Sequence, residues 1–133
     1  MQFIIHTKKR EEIIDITTQV QSLVSRYSFK EGLANIFVPH ATAAVTINEN
    51  CDERVNEDLL EALRKIAPKG QWKHDACDGN GDAHIKSSII KPSITIPIRD
   101  NRLMLGKWQG IMFCEFDGPR ERTIIVNCSN AKS

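Results

Sequence analysis

The stretch "QGIMFCEFDGPRERTIIVNC", residues 109–128, contains two apolar segments separated by a short polar turn. Both segments, 109–116 and 122–128, are rich in β-branched and aromatic side chains, which favour extended structure. "DGPR" between them combines glycine with proline, the two residues that most often interrupt regular structure. The pattern predicts two antiparallel strands joined by a turn.

Other segments of the chain have the same character. "HIKSSII" (84–90), "SITIPI" (93–98) and "NRLMLG" (101–106) precede the quoted stretch and are separated by turn-forming residues. Nearer the N-terminus, "QFIIHT" and "EEIIDI" are expected to pair as a hairpin across "KKR". With "GLANIFVPH" and "ATAAVTINEN", the total is about nine predicted strands.

Two segments have helical periodicity instead. In "TTQVQSLVSRYS" (17–28), apolar residues recur at helical spacing behind a threonine that can cap the helix. In "CDERVNEDLLEALRKIAP" (51–68) they recur until Pro68, and Asn50 is expected to cap this helix. Strands and helices do not alternate regularly. The sequence therefore predicts one α+β domain, residues 1–133, with a mostly antiparallel β-sandwich or sheet and two main helices.

Composition argues against several classes of function. The chain has 18 basic and 17 acidic residues, a formal net charge of +1, so no summed positive field would attract nucleic acid. No apolar stretch approaches the ~20 residues that span a bilayer, and the N-terminus lacks the apolar segment of a secretory signal, so we expect a cytoplasmic protein. Free thiols are expected at the four cysteines, Cys51, Cys77, Cys114 and Cys128.

Three histidines, His40, His74 and His84, lie at the edges of predicted elements or in the loop between them. If they converge, three imidazole nitrogens could bind a divalent metal, and nearby carboxylates would favour zinc. Glu49 and Asp52 could then accept protons, although Asp52 also suits a helix N-terminus. In the ordinary interpretation, each imidazole is merely half-exposed and hydrogen-bonded.

Polar side chains after His84 could contact a ligand. In a strand, residues 84, 86 and 88 would share one face, so Lys86 and Ser88 could hold an anion beside His84. Lys86 could equally be an ordinary solvated residue. Arg120 lies in a charged hairpin tip, where it could bind an anion or pair with acidic residues.

The motifs "HATAAVTINEN", "HD", "AHIKSS", "SITIPI", "LGKWQGI" and "EFDGPRER" together resemble the YjbQ-like family, sometimes labelled secondary thiamine-phosphate synthase. The likeness runs from the first strand to Val126. It implies an α+β sandwich that assembles as a homotrimer, with a pocket near the subunit boundaries.

The resemblance also implies roles for particular residues. His40, His74 and His84 match the histidines that line the family's pocket and hold a metal or an anion there. Glu49, Asp52 and Asn80 fall within the family's polar motifs. The family label implies that a pyrimidine pyrophosphate is joined to a thiazole phosphate with loss of pyrophosphate, a reaction that a bound cation would assist.

We therefore expect a metal-assisted enzyme that acts on a small phosphorylated molecule, with thiamine-phosphate synthesis as one candidate activity. The expected metal is zinc, and the expected partners are a small anionic ligand and two further copies of the chain. The metal is expected to be bound by His40, His74 and His84, and a proton to be accepted by Glu49 or Asp52. The anion is expected to be bound by Asn80, Lys86, Ser88 and Arg120.

Two alternatives remain open at this point. A non-catalytic protein could bind a metabolite or metal in the same pocket for metabolic control, or the histidines could form hydrogen bonds between subunits. Two residues also depart from the family's pattern: Lys107 stands where a small residue is usual, and Lys91 stands near a usual glycine. Either lysine would favour a more anionic ligand if it bordered the pocket.

Overall fold

Two antiparallel sheets form the framework of the protein. The structure is a computed structural model, and it describes residues 1–131. The strands are β1 (Gln2–His6), β2 (Glu12–Asp15), β3 (Glu31–Phe37), β4 (Ala43–Glu49), β5 (Ser93–Arg99), β6 (Arg102–Leu103), β7 (Gln109–Glu115) and β8 (Glu121–Asn130). The helices are α1 (Thr17–Val24), α2 (Glu53–Ile66), α3 (Asp75–Asp78) and α4 (Gly81–Ile90).

The larger sheet has five strands in the order β1-β8-β3-β5-β6, and the smaller has three in the order β2-β7-β4. Every strand pair in both sheets is antiparallel. The α+β fold class predicted from the sequence is therefore confirmed. Among the described residues, every helix is too short or too polar to cross a lipid bilayer.

The main hydrophobic core combines side chains from both sheets with one face of α1. Ile36 and Ile124 come from the larger sheet, Ile111 and Phe113 from the smaller one, and Val20 from the helix; all five are fully buried. Residues of alternate strand positions supply this core because successive side chains in a strand point to opposite faces. The core fixes how the two sheets lie against each other.

A second cluster lies on the other face of the three-stranded sheet. Cys114 of β7 and Ala44 of β4 pack there with Leu63 of α2 and Ala83 of α4. Both faces of β7 are thus covered, which explains the uninterrupted apolar run that makes this strand recognisable in the sequence. The packing also holds α4 beside β4, where the candidate site lies.

The predicted opening hairpin is wrong. β1 pairs with β8 in the larger sheet, whereas β2 pairs with β7 in the smaller sheet. The segment between them crosses from one sheet to the other, and Glu12 Oε2 accepts hydrogen bonds from the backbone N–H groups of Lys8 and Lys9 within it. Long-range pairing with the apolar C-terminal strands replaced the local pairing that sequence proximity suggested.

The strand predicted for "HIKSSII" is also wrong, because these residues belong to α4. The helix places Asp82 and Lys86 one turn apart, where their side chains form a buried ion pair, and it packs Ala83 in the second core cluster. These tertiary contacts outweigh the β-branched residues at its end. The described residues accordingly form eight strands and four helices, rather than the predicted nine and two.

Helix α2 is confirmed, but its predicted cap is not. Asp52 occupies the N-cap position, and its carboxylate accepts a hydrogen bond from Arg54 N at 3.0 Å. Asn50 instead donates to Asp15 Oδ2 at 2.9 Å and lies against Gly110, where a Cβ would be 2.6 Å from Asn50 Nδ2. Only glycine fits at that position of β7 without displacing this side chain.

Candidate functional site

A small groove lies between helix α4 and the segment that connects β3 with β4. Its volume is about 220 Å³. We call it the His40–α4 groove, and its lining residues are His40, Ala41, Ala43, His84, Ser87, Ser88 and Pro92. Two of the three histidines identified in the sequence therefore line one cavity.

His40 is held in one orientation by the larger sheet. Its Nε2 accepts a hydrogen bond from the backbone N–H of Thr123 at 2.9 Å. Burial lowers the pKa of His40 below its ordinary value, and the positive charge of Arg122 lowers it further. The neutral ring then carries its proton on Nδ1, because Nε2 is the acceptor. His40 is thus a fixed hydrogen-bond donor at neutral pH.

The α4 wall contributes one imidazole and two hydroxyl groups. Ser88 Oγ donates to the carbonyl oxygen of His84 at 2.9 Å, so that hydroxyl is occupied within the helix. Ser87 is only 7% exposed, and its Oγ has no hydrogen-bond partner among residues 1–131. His74 reaches the same helix, since its ring lies edge-on to that of His84 with 4.6 Å between centroids.

A buried ion pair lies behind His40. The guanidinium of Arg122 bonds both carboxylate oxygens of Glu115, and its Nη2 also donates to Thr42 Oγ1 at 2.9 Å. Thr7 Oγ1 donates to Glu115 Oε1 at 2.6 Å. Glu115 was not predicted as a site residue from the sequence, although a glutamate inside the apolar strand "GIMFCEF" is a signal of such a cluster, because a buried carboxylate needs a partner.

Arg120 and Asn80 meet at Asp117, in the loop between β7 and β8. Arg120 donates to the carbonyl and to the carboxylate of Asp117, at 2.7 and 2.8 Å, while its side chain stays 53% exposed. Asn80 Nδ2 donates to the same carboxylate oxygen at 2.8 Å. The positive charge of Arg120 also contributes to the lowered pKa of His40, so this loop lies within electrostatic reach of the groove.

Lys86 does not line the groove. The prediction that it shares a face with His84 assumed a strand and is wrong. Its Nζ lies 2.8 Å from both Asp82 Oδ2 and Glu11 Oε2, and its side chain is 1% exposed. Arg10 pairs with Asp82, and Arg64 pairs with Glu11. In a helix, residues 84 and 88 share a face but residue 86 does not, so Lys86 points into this five-residue ion network instead.

The ion network keeps its two acids ionised. Burial alone would raise the pKa of Asp82, but the bonds from Arg10 and Lys86 hold it below its ordinary value. For Glu11, burial is likewise outweighed by the bonds from Lys86 and Arg64, and its pKa is also lowered. The two carboxylates therefore fix one face of α4 while the opposite face lines the groove.

The two predicted proton acceptors lie elsewhere in the fold. Glu49 ends the strand that begins at Ala43, a groove residue, and six residues of extended chain span about 20 Å. Asp52 caps α2, and Arg54 occupies its carboxylate. Neither acid is among the described residues that line the groove.

The two departures from the family's pattern lie outside the groove lining. Lys91 follows α4 and has a φ of 85°, in the left-handed region that favours glycine. Its backbone, immediately before Pro92, accepts a hydrogen bond from Val45 N at 3.1 Å. The ammonium of Lys107 lies 5.0 Å from the centroid of the Trp108 ring, on the exposed loop before β7.

The three histidines do not form the metal site that was expected. Nε2 of His40 is bonded to the backbone, and the described residues contain no group of three or more His, Cys, Asp or Glu side chains placed to hold a metal ion. The donor set therefore does not fit a three-imidazole centre. Binding of a divalent metal, with zinc expected, stays a prediction.

Comparison with known proteins places the chain in a family. The family model described as "UPF0047 protein YjbQ-like" matches residues 1–131. The chain belongs to the YjbQ-like UPF0047 family. Among curated relatives, UPF0047 protein MJ1081 of Methanocaldococcus jannaschii is 50% identical over 122 residues, which cover 92% of this chain and 88% of the relative. UPF0047 protein YugU of Bacillus subtilis is 44% identical over 125 residues and 92% of each chain.

Solved structures of YjbQ-like proteins share the fold. The hypothetical protein APE1520 of Aeropyrum pernix K1 has a TM-score of 0.93 and 40% identity, covering 98% of this chain and 97% of its own. A protein of the YjbQ/UPF0047 family from Clostridium acetobutylicum has a TM-score of 0.92 and 43% identity, covering 97% of this chain and 99% of its own.

These findings correct the functional expectation. The family model and the relatives carry the UPF0047 designation without an activity, and the Clostridium protein is described as uncharacterized. Nothing in them supports thiamine-phosphate synthesis, and the described residues contain no group of three or more His, Cys, Asp or Glu side chains placed to hold a metal ion. The prediction of a metal-assisted enzyme acting on a small phosphorylated molecule is therefore wrong.

Proposed function

We propose that this protein binds a small oxyanion in the His40–α4 groove. The observation that carries the proposal is Ser87, which lines the groove and whose buried Oγ has no partner among the described residues. A buried polar group without a hydrogen bond costs about 1–3 kcal/mol. An oxyanion in the groove would accept the hydrogen bond from this hydroxyl.

The surroundings of the groove favour a negative ligand. None of the described lining residues is acidic, and His40 supplies a donor at Nδ1. Arg120 adds an exposed guanidinium. Its Nε and Nη2 donate hydrogen bonds to Asp117, and Nη1 takes no part in these two bonds. Hydrogen bonds to an ionised acceptor are roughly twice as strong as neutral ones, so a carboxylate or a phosphate group would suit this set of donors.

The size of the groove limits the ligand. Sites for drug-sized molecules occupy ~300–1,000 Å³, whereas this groove is about 220 Å³. It therefore suits a small anion, or the anionic end of a longer molecule that extends into solvent. The proposal requires no bond to be made or broken, so it describes a binding protein.

Calorimetric titration with inorganic phosphate tests the proposal. We expect Ser87→Ala to weaken binding about fivefold, the loss of one hydrogen bond, and Arg120→Met to weaken it as well, because a positive charge within electrostatic reach of the groove is lost. Ser22→Ala and Arg102→Met are matched controls, since both residues are exposed and lie at a different groove beside α1. Unchanged affinity in the first two variants, or equal losses in the controls, would contradict the proposal.

We also propose that the protein self-associates through the outer face of the five-stranded sheet, as a homotrimer. Supporting this, Ile4, Leu33 and Phe37 are 49%, 48% and 39% exposed on that face. Contiguous exposed apolar side chains commonly mark an interaction surface. The formal net charge of +1 gives copies of the chain little mutual repulsion.

A cytoplasmic location is part of the same proposal. Its support is the state of the cysteines: Cys51 and Cys77 are exposed free thiols, and Cys114 and Cys128 are free as well. A reducing compartment keeps such thiols unpaired. Cell fractionation with an antibody against the protein tests the location, and recovery in the secreted fraction would contradict it.

A further inference from the structure

The guanidinium of Arg122 has two buried partners on different parts of the fold. Its Nε lies 2.9 and 3.1 Å from the carboxylate oxygens of Glu115, and its Nη2 donates to Thr42 Oγ1 at 2.9 Å and to the Thr42 carbonyl at 3.3 Å. Arg122 is 3% exposed, Glu115 0% and Thr42 7%. The carboxylate thus neutralises a guanidinium whose planar, fixed donors also hold Thr42.

Thr42 belongs to one wall of the His40–α4 groove. It lies between Ala41 and Ala43, which both line the groove, at the end of the segment that connects β3 with β4. This connecting segment lies outside the helices and strands, so side-chain hydrogen bonds contribute more to its position than they would in a sheet. Arg122 therefore anchors the wall two residues from His40.

The ring of His40 attaches the same wall to β8 at the residue next to Arg122. Pairing of β8 with β3 ends at Ile125 and Phe37, and Thr123 lies two residues beyond that point. The N–H of Thr123 donates instead to Nε2 of His40 at 2.9 Å. The other ring nitrogen, Nδ1, forms no hydrogen bond within residues 1–131 and is not among their buried unpartnered atoms. It therefore remains accessible, on a residue that lines the groove.

We infer that Arg122 is a positioning residue of the groove, which holds the His40 ring so that its Nδ1–H is available to the bound oxyanion. It acts by anchoring Thr42, so that the ring stays on the Thr123 N–H. The inference rests on the proposed oxyanion groove and adds to it. An imidazole without the bond from Thr123 would place its proton on either nitrogen. With the proton on Nε2, Nδ1 would present a lone pair, which repels an anion.

The position of the His40 proton tests the inference in the absence of any ligand. Long-range ¹H–¹⁵N correlation spectra of the full chain, recorded at about pH 8 where imidazoles are mostly neutral, distinguish a protonated ring nitrogen from a bare one. The His40 signals are assigned by their absence in His40→Gln. We expect the wild type to carry this proton on Nδ1.

Two variants loosen the wall while a positive charge stays beside Glu115. Thr42→Val keeps the shape of the side chain but removes Oγ1, and Arg122→Lys keeps a cation but lacks the planar fork that bonds Glu115 and Thr42 together. In both variants we expect a second population of His40 with its proton on Nε2. We also expect affinity for inorganic phosphate to fall about threefold to fivefold, close to the value of one hydrogen bond. Circular dichroism checks folding, and Thr42→Val decides alone if Arg122→Lys does not fold.

Thr7→Val is the matched control. Thr7 is also a buried threonine, 6% exposed, and its Oγ1 donates to the same Glu115 carboxylate at 2.6 Å. Its other side-chain bonds go to the backbone of Arg120, not to the segment that carries Thr42. We expect this variant to keep the His40 proton on Nδ1 and its phosphate affinity within about twofold of the wild type.

The outcomes separate the two proposals. A proton on Nε2 in the wild type, or one that stays on Nδ1 in both Arg122→Lys and Thr42→Val, would overturn the role of Arg122 even if phosphate binds. Unchanged phosphate affinity in those two variants, or an equal loss in Thr7→Val, would overturn it as well. If the wild type binds no phosphate, the oxyanion groove is wrong, while the location of the proton still decides whether Arg122 positions His40.

Discussion

At the level of single residues, His40 joins the groove to the larger sheet. Its imidazole accepts a bond from Thr123 N, and burial and the charge of Arg122 lower its pKa. The unfolded chain restores the ordinary pKa near 6.5. Between these two pKa values the unfolded state binds more protons, so the stability decreases as pH falls through about 6.5.

A single substitution tests this pH dependence. Glutamine at position 40 offers a carbonyl oxygen to Thr123 N and carries no titratable group. We expect the free energy of unfolding of His40→Gln, measured with urea, to fall less than that of the wild type between about pH 8 and about pH 5. Every other titratable group is common to both proteins, so parallel pH profiles would show that the His40 pKa is not lowered.

Part of the candidate site could be predicted from single residues in the sequence. His40 and His84 were recognised and do line one groove, because both stand at the edges of elements. Ser87 was assigned to the face opposite His84, because a strand was predicted there; in the helix α4 both residues line the groove. Glu49 and Asp52 were predicted as proton acceptors because they are acidic. Glu49 instead lies at the far end of β4 from the groove, and Asp52 caps α2.

At the level of elements, α4 has two different polar faces. One carries Asp82 and Lys86 into the buried ion network, and the other carries His84 and Ser87 to the groove. The sequence "HIKSSII" permits both a strand and a helix, because a short segment with apolar ends matches either period. The helix is selected by two long-range contacts, the pairing of Lys86 with Glu11 and the packing of Ala83 in the second core cluster. A local sequence pattern does not contain those contacts.

Replacing Lys86 tests the role of the ion network. Lys86→Met leaves the buried carboxylate of Asp82 with Arg10 alone, and we expect a loss of about 3–5 kcal/mol in the free energy of unfolding. Lys65→Met is the matched control: Lys65 pairs with Glu61 at 3.3 Å, but both side chains are mostly exposed, so the loss should be about 0–1 kcal/mol. Urea unfolding measures both. Equal losses in the two variants would show that the network does not stabilise the fold.

At the level of the whole molecule, the two sheets leave one large face uncovered. The C-terminal strands were predictable because β7 is covered on both faces and reads as a continuous apolar run. The division into two sheets was not, since β1 and β2 pair with strands more than ninety residues away in sequence. Ile4, Leu33 and Phe37, exposed on the larger sheet, remain without a covering element among the described residues.

Charged substitutions on that face test self-association. We expect the wild-type protein to have the mass of a trimer in light scattering coupled to size exclusion, and Leu33→Lys combined with Phe37→Lys to shift it to monomer, because burying two unpaired lysines in an interface is costly. Ile66→Lys is the control, since Ile66 is 61% exposed but belongs to α2. A monomeric wild type, or a trimer that persists in the double variant, would contradict the proposed interface.

The central claim, that the His40–α4 groove binds an oxyanion, is tested most directly by nuclear magnetic resonance. Backbone amides of uniformly ¹⁵N-labelled protein are followed during titration with inorganic phosphate, up to several times an expected dissociation constant of about 1 mM. We predict saturable shifts at His84, Ser87 and Thr123, whose amide bonds His40, and none at Thr18 or Ser22 of α1. Shifts that are absent, do not saturate, or concentrate on α1 would contradict the claim.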